Sequence, residues 1–485
     1  MSEAREFKHI GQRTIRPDGF DKVTGKANYG ADLSLPGMIW GAILRSPHAH
    51  ANIKKLDVSR AQASPDVLAI ATFEDFPSVN AAAQRNGSQR KDLMDTACNI
   101  FANQKVLYHG HAVAAIAARS QAAAIAALDL IDVEYEVLTP VLNINDAISA
   151  EAPILHETMM TQGLAEPATE ASNVSARMEL KKGNIEAGFA AADVIVERAY
   201  DTPTVHQGYI EPHATTVVFN DNGPSMIWCP TQGHFDVRAR VAQLMNLELG
   251  QIKVVASEIG GGFGGKTTVY LEPVALILSK KSGRPVKMEM SRGDVFRASG
   301  PASASQSRIK IGAKMDGTIT AMQATLHYEA GAFQGSPMGP GCMTVFTPYD
   351  VENLYVEGFD VVVNKPKVAA YRAPGAPQSE FAAEMAVNEL AKKIGMDPIE
   401  FRLKNAAKEG TQTIYGPKLK VVGLVACLEA AKSSPHYNAP IPENVGRGLA
   451  AGFWFNIGGQ SSVIINLNPD GTGTIIEGSP DIGGS

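Results

Sequence analysis

Apolar and polar positions recur with helical and strand periods in turn along the chain. Residues 121–130 form an alanine-rich helical pattern, and residues 131–137 then alternate as a half-buried strand. Residues 184–192 predict a short helix, 194–204 a strand, and 380–394 another helix. Helices and strands mixed in this way, with Gly and Pro turns between them, predict an α+β fold.

Changes in composition divide the chain into units. Between residues 143 and 182 the sequence becomes rich in Ala, Glu, Thr, Ser and Pro, which is typical of a linker. The last unit contains two predicted strands joined by an Asn-Pro-Asp-Gly turn. We therefore expect a first domain, a linker, a second domain and the start of a third at 1–142, 143–182, 183–440 and 441–485.

Composition and charge narrow the class of protein. The chain has 485 residues, of which 45% are hydrophobic and 19% charged, with a formal net charge of −6. Without a basic run, an apolar stretch of about 20 residues or an export signal, we expect a cytoplasmic protein that binds neither nucleic acid nor membrane. The four cysteines are widely separated, which argues against an iron–sulfur cluster in this chain and predicts buried, reduced thiols.

One glycine-rich stretch stands out. Residues 252–257 predict a strand, five glycines then surround Phe263, and Lys266 precedes a helical pattern at 269–280. So many glycines indicate backbone that turns tightly and approaches a ligand closely. Residues 260–267 also match the phosphate-binding pattern G-x-x-x-x-G-K-[ST] of nucleotide hydrolases.

Two motifs suggest nucleotide or metal chemistry, and neither is well supported. A nucleotide hydrolase needs a second apolar strand that ends in an acid, and Lys287 interrupts the candidate strand. His206, Glu211 and His213 have ligand chemistry, but Pro212 breaks the regular geometry of a shared face. A structural role is favoured for these three residues.

The glycine stretch Gly-Gly-Gly-Phe-Gly-Gly-Lys resembles the signature loop of the molybdenum hydroxylases. This is the xanthine dehydrogenase and aldehyde oxidoreductase family, and the resemblance is to its molybdopterin-binding large subunit. Further blocks follow the family's order. Residues 11–58 resemble the entry to the N-terminal hammerhead domain, and three later blocks also match: Gly-Tyr-Ile-Glu-Pro-His-Ala-Thr, Pro-Thr-Gln and Gly-Met-Asp-Pro-Ile-Glu-Phe-Arg-Leu-Lys-Asn. The resemblance implies a hammerhead domain followed by mixed α+β molybdopterin-binding domains.

The resemblance also implies the cofactor site. Gln232 would donate its amide to the apical oxo group of the metal, and the turn at Arg372 would face the cofactor. The implied cofactor is molybdenum-molybdopterin in its cytosine dinucleotide form, with no protein side chain bound directly to the metal. The implied cofactor-binding residues are Gln232, Gly262, Phe263, Gly264, Arg372, Gly483 and Gly484.

Three positions would face the substrate. Thr267 stands where the purine enzymes have a glutamate, Pro374 replaces a stacking phenylalanine, and residues 330–348 contain no arginine. With Phe453 or Trp454 completing the wall, this predicts a pocket for an aldehyde or an N-heteroaromatic ring rather than a purine. The family's general base is a glutamate expected beyond residue 485, so no catalytic residue is expected within 1–485.

The implied reaction is oxidation of the substrate with water as the oxygen source. Electrons would pass to 2Fe-2S clusters and FAD on an iron–sulfur small subunit and an FAD-binding medium subunit, and the remainder of the large subunit would be needed for activity. Three alternatives stay open: a reductive enzyme of the hydroxybenzoyl-coenzyme A type, a phosphate-loop nucleotide hydrolase, and a non-catalytic assembly subunit.

Overall fold

The computed structural model describes residues 7–8, 11–13, 15–16, 18–77, 87–455 and 463–482. The α+β fold predicted from the sequence is confirmed. The strands are β1 Ile39–Arg45, β2 Ala51–Asp57, β3 Val67–Ala71, β4 Lys105–Val106, β5 Ala112–Ala118, β6 Asp132–Val137, β7 Val174–Lys182, β8 Val194–Thr202, β9 Ala214–Val218, β10 Ser225–Cys229, β11 Ile252–Ala256, β12 Val286–Glu289, β13 Ser305–Ala313, β14 Ile319–Gly331, β15 Asn353–Val362, β16 Ile464–Leu467 and β17 Gly473–Ile476.

Helices lie between and against these strands. They are α1 Gly19–Val23, α2 Ser59–Gln62, α3 Gly87–Ile100, α4 Gln121–Ala127, α5 Ile144–Ala147, α6 Ile185–Ala190, α7 His234–Leu244, α8 Glu272–Ser282, α9 Arg292–Ala298, α10 Met338–Thr344, α11 Ala376–Ile394, α12 Pro398–Asn405, α13 Leu424–Lys432 and α14 Pro435–Asn438. No helix in the described part of the chain is long and apolar enough to cross a membrane.

A seven-stranded sheet joins the first two predicted domains. Its strand order is β11-β10-β9-β12-β1-β5-β3, with β1 parallel to β12 through the pair Ile39 and Val286. Helix α8 packs against this sheet, and residues 272–279 are all buried. The sheet is therefore one structural unit built from both sides of the predicted linker.

A second sheet, with five strands in the order β7-β15-β14-β13-β8, carries the other main core. Helix α11 packs on β13 and β8. Strand β7 pairs with β15 although it falls within the segment 143–182, which the sequence predicted as a linker. Its polar composition fits an edge strand, which is paired on one side only.

Several predicted elements have different bounds in the structure. The helix predicted at 121–130 is α4 followed by a short 3-10 turn at Leu128–Leu130. Helix α11 begins earlier than predicted, because Pro377 is well tolerated in the first turn, and it ends at Gly395 in a left-handed conformation. Helix α7 was not predicted, although its buried positions Val237, Val241 and Leu244 recur at helical spacing.

The C-terminal part of the described chain has little core of its own. All eight residues of the hairpin β16–β17 are exposed, including Ile465 and Leu467. The prediction of four buried thiols holds for Cys229 and Cys342, which are buried free cysteines. Cys98 is only partly buried and Cys427 is exposed at the surface of α13.

Candidate cofactor-binding site

The glycine loop follows β11 and is anchored by a buried ion pair. Glu211 Oε2 accepts hydrogen bonds from the Gly260 backbone N–H and from Lys266 Nζ, both at 2.7 Å. The Lys266 side chain is 1% exposed, and this burial lowers its pKa. Its charge is satisfied by Glu211, so Lys266 serves to hold the loop in place.

This ion pair weighs against the phosphate-loop interpretation. In a nucleotide hydrolase the equivalent lysine must reach the phosphates. Here Lys266 Nζ lies 5.0 Å from the centre of the Tyr209 ring and is bonded to Glu211. The glycine loop therefore matches the phosphate-loop pattern in sequence, but its lysine has a different role.

Gln232 connects the end of β10 to the glycine loop. Its Oε1 accepts from the Gly264 N–H at 2.8 Å and from the Lys266 N–H at 3.3 Å. Gly262 makes room for this amide, because a Cβ there would lie 2.6 Å from Oε1. Since Oε1 is taken by the loop, the amide NH₂ is the donor that Gln232 retains for a bound group.

Two residues beside Gln232 have left-handed backbone. Phe263 has φ 52° and Ala373 has φ 62°, which is unfavourable for residues other than glycine. The Arg372 N–H donates to the Phe263 carbonyl at 2.9 Å and so ties the two turns together. Backbone strain of this kind is concentrated at functional sites.

The two turns face one cavity of about 920 Å³. Gln232, Phe263, Gly264 and Arg372 all line it, so the structure brings together most of the predicted cofactor-binding residues. Gly262 lies beneath the Gln232 amide, and Gly483 and Gly484 lie outside the described residues. The residues just before them also line the cavity: Ser479, Pro480, Asp481 and Ile482.

The predicted substrate-facing residues do not share one cavity. Pro374 lines the 920 Å³ cavity with Trp454, whereas Thr267 lines a second cavity of about 380 Å³ and Phe453 a third of about 560 Å³. Thr267 Oγ1 donates to the Gly264 carbonyl at 2.8 Å, which turns its hydroxyl toward the loop. The expected neutral wall of Thr267, Pro374 and Phe453 is therefore not a single surface of the structure.

His206, Glu211 and His213 each have a separate structural contact. His206 Nε2 lies 2.9 Å from the Ser299 hydroxyl, and His213 Nε2 lies 2.7 Å from the Tyr209 hydroxyl. Burial holds the pKa of both histidines low, at about 4 for His206. Both imidazoles are therefore neutral hydrogen-bonding groups near pH 7.

Sequence reasoning missed a set of contacts that dock the segment 449–453 on helix α11. The Phe453 N–H donates to Glu380 Oε1 at 2.8 Å, and the Ala451 N–H donates to Glu384 Oε2 at 2.7 Å. Asn388 Nδ2 donates to the Leu449 carbonyl at 3.2 Å. Polar side chains spaced four residues apart on one helix face thus match alternate residues of an extended segment.

Helix α11 directly follows the Arg372 turn, which lines the cavity. Docking on α11 therefore fixes the position of residues 449–453 relative to that cavity. Arg402 supports it from below, because its guanidinium donates to Glu384 Oε2 at 2.6 Å inside the core. Trp454, the next residue after the docked segment, lines the 920 Å³ cavity. The spacing of Glu380, Glu384 and Asn388 was visible in the sequence, but their partner segment was not.

Comparison with known proteins identifies the domains. Residues 24–139 match the aldehyde oxidase and xanthine dehydrogenase a/b hammerhead domain, and residues 166–406 match the molybdopterin cofactor-binding domain. The nicotinate dehydrogenase large molybdopterin subunit of Eubacterium barkeri is 31% identical over 435 residues, which cover 88% of this chain and 96% of that protein. The chain belongs to the xanthine dehydrogenase and aldehyde oxidoreductase family of molybdopterin-binding subunits.

Other relatives are longer. The xanthine dehydrogenase molybdenum-binding subunit of Escherichia coli is 31% identical, with 86% of this chain and 55% of that protein covered. The aldehyde oxidoreductase structure from Desulfovibrio gigas aligns with a TM-score of 0.80 at 28% identity, covering 95% of this chain and 51% of that one. This chain spans about half the length of several of the relatives that it matches.

Proposed function

We propose that the chain is the cofactor-binding part of an oxidoreductase that oxidises an aldehyde or an N-heteroaromatic compound with water as the oxygen source. The observation that carries the proposal is the cavity where Gln232, Phe263, Gly264 and Arg372 meet. The general base would be a glutamate outside residues 1–485. Iron–sulfur and FAD-binding subunits and the remainder of the large subunit would complete the enzyme, with a cytoplasmic location.

The residues around this cavity fit a molybdopterin cofactor. Glycines at 262 and 264 leave space that a side chain would fill, since a Cβ on Gly264 would lie 2.4 Å from the Ala370 carbonyl oxygen. The Gln232 amide offers a neutral donor, which suits an oxygen with partial negative charge. The cofactor, which we propose to be the cytosine dinucleotide form, supplies two-electron redox chemistry when bound.

The roles of the chain's own residues follow from their contacts. Gln232 would orient the bound group through its NH₂, while its Oε1 keeps the glycine loop in place. Phe263 and the Arg372 turn would exclude water from one side of the bound cofactor. The strained backbone at Phe263 and Ala373 holds these groups before the cofactor binds, which reduces the cost of organising the site.

Metal analysis and kinetics test this function. The purified complex should contain about one molybdenum per chain, and it should oxidise benzaldehyde or quinoline with a kcat/KM at least ~100-fold above that for hypoxanthine, the scale of a few lost polar contacts. Absence of molybdenum would favour the non-catalytic assembly subunit. Hypoxanthine as the best of the three substrates would refute the assignment of substrate class.

A further inference from the structure

A second glutamine, Gln207, contacts the glycine loop at a different point from Gln232. It lies before β9 and is 7% exposed. A Cβ on Gly265 would lie 3.1 Å from the Gln207 Oε1, whereas a Cβ on Gly262 would lie 2.6 Å from the Gln232 Oε1. Two glutamine amides therefore limit the space around this short stretch of backbone.

The Gln207 NH₂ joins two backbone segments beside the loop. Its Nε2 donates to the Ala370 carbonyl at 2.8 Å and to the Gly300 carbonyl at 3.0 Å. The same two segments are also bonded directly, because the Ala369 N–H donates to the Pro301 carbonyl at 2.9 Å. Gln207 thus fixes the direction of the Ala370 carbonyl.

The orientation of the Gln207 amide follows from its partners. A backbone carbonyl can only accept, so both hydrogen bonds come from the NH₂ group. Within the described residues, no group donates to the buried Oε1. An unpaired buried acceptor offsets part of what the two hydrogen bonds contribute, so stability alone is a weak reason for a glutamine at this position. What Gln207 supplies is the pair of donors.

The Ala370 carbonyl belongs to the contact between the two turns of the cavity. Its oxygen lies 2.4 Å from the Cβ position of Gly264, so it sets how closely the glycine loop can approach. Two residues later, the Arg372 N–H donates to the Phe263 carbonyl. Ala370 and Arg372 line the 920 Å³ cavity, whereas Gln207 is not among its described lining residues. An effect of Gln207 on a bound group therefore passes through Ala370.

We propose that Gln207 is a positioning residue for the cofactor site: its NH₂ holds the Ala370 carbonyl, and with it the Arg372 turn, against the glycine loop. The proposal rests on the function proposed above and adds a residue to the same site. Without the NH₂, the Ala370 carbonyl loses its side-chain donor, and the peptide group between residues 370 and 371 rotates more easily. That rotation would move the Arg372 turn, and a displacement of about 1 Å in such a site can cost ~100-fold in rate.

Gln207→Met in the purified complex tests this, because methionine keeps the length of the side chain and lacks both polar groups. Hydrogen–deuterium exchange of the Arg372 amide should become ~10-fold faster, the scale of one lost hydrogen bond. Pterin should leave the complex ~10-fold faster for the same reason. The kcat for benzaldehyde should fall ~10-fold while KM changes less than ~3-fold, since the groups that contact the substrate are unchanged.

Gln378→Met is the matched control. The Gln378 NH₂ also donates to a backbone carbonyl, that of Ser303 at 3.2 Å. Its buried Oε1 likewise has no donor in the described part of the chain. Neither Gln378 nor Ser303 is among the described residues that line the 920 Å³ cavity. Exchange at Arg372, pterin release and kcat should therefore stay close to their wild-type values.

Three results would overturn the positioning role. They are unchanged exchange at Arg372 in Gln207→Met, equal effects in Gln378→Met, and faster exchange throughout the domain with an unfolding midpoint lowered by more than about 4 °C, which indicates a structural role only. Gln207→Glu keeps the shape of the amide but lacks the NH₂, so it should give the same changes as Gln207→Met. Failure of both variants to fold would also indicate a structural role only.

The exchange measurement separates this proposal from the proposed function. If the wild-type complex holds no molybdenum or pterin, the proposed function is wrong. Exchange at Arg372 does not depend on a bound cofactor, so it still decides whether Gln207 fixes the Arg372 turn.

Discussion

Replacing Gly264 with alanine tests the most confined point of the glycine loop. Gly264 has φ 106°, and its new Cβ would lie 2.4 Å from the Ala370 oxygen and 2.7 Å from the Ala370 carbonyl carbon. Ordinary contacts begin near 3.4 Å, so the backbone would have to separate by about 1 Å. Ala370 cannot yield easily, because its carbonyl is held by the Gln207 amide at 2.8 Å.

The expected loss of folding stability in Gly264→Ala has two parts. Left-handed backbone at a non-glycine residue costs ~1–3 kcal/mol, and forced overpacking adds ~1–3 kcal/mol. Gly283→Ala is the matched control, since Gly283 also has positive φ, at 66°, but no atom within 4 Å of its Cβ position. The control should show only the backbone cost, about 1 kcal/mol.

The assay is the molybdenum and pterin content of each purified variant beside its thermal unfolding midpoint. Gly264→Ala should contain at least ~10-fold less bound pterin than the wild type, because the displaced loop carries Phe263 and the N–H groups that hold the Gln232 amide in place. Gly283→Ala should keep its pterin. Full pterin retention in Gly264→Ala would show that this loop does not hold the cofactor.

Other predictions address the supports of the site. Glu211→Gln should cost ~3–5 kcal/mol in urea unfolding by leaving Lys266 buried without its partner, and adding Lys266→Met should recover most of that loss. Gln232→Glu keeps an oxygen that accepts from the glycine loop but removes the NH₂ donor. We therefore expect kcat to fall by ~10–100-fold while the pterin content stays near normal. An unchanged kcat would contradict the donor role. Burial raises the pKa of Glu380 to about 8, so between about pH 4.5 and 8 the folded state retains a proton that the unfolded state loses. The thermal unfolding midpoint of the wild type should therefore fall over this interval, and that of Glu380→Gln should fall less steeply. Residues 1–485 expressed alone should aggregate through the exposed hairpin β16–β17, and light scattering from a monodisperse monomer would argue against this.

The sequence predicted those parts of the site that depend on local backbone. The glycine loop could be recognised because the residues that shape it are adjacent in the chain. The docking of residues 449–453 could not, since Glu384 and Glu380 bond to backbone groups that lie 67 and 73 positions later in the chain. The pairing of β7 with β15 was missed for a similar reason: polar alternation at an edge strand resembles a linker until its partner is known.

The parallel pairing of β1 with β12 has a consequence for synthesis of the protein. Ile39 leaves the ribosome about 250 residues before Val286, its partner, which at 5–20 residues per second is an interval of roughly 12–50 s. Throughout that time one edge of β1 has backbone donors and acceptors without partners. We therefore expect the nascent hammerhead segment to be prone to wrong pairing along that edge of β1 until β12 emerges.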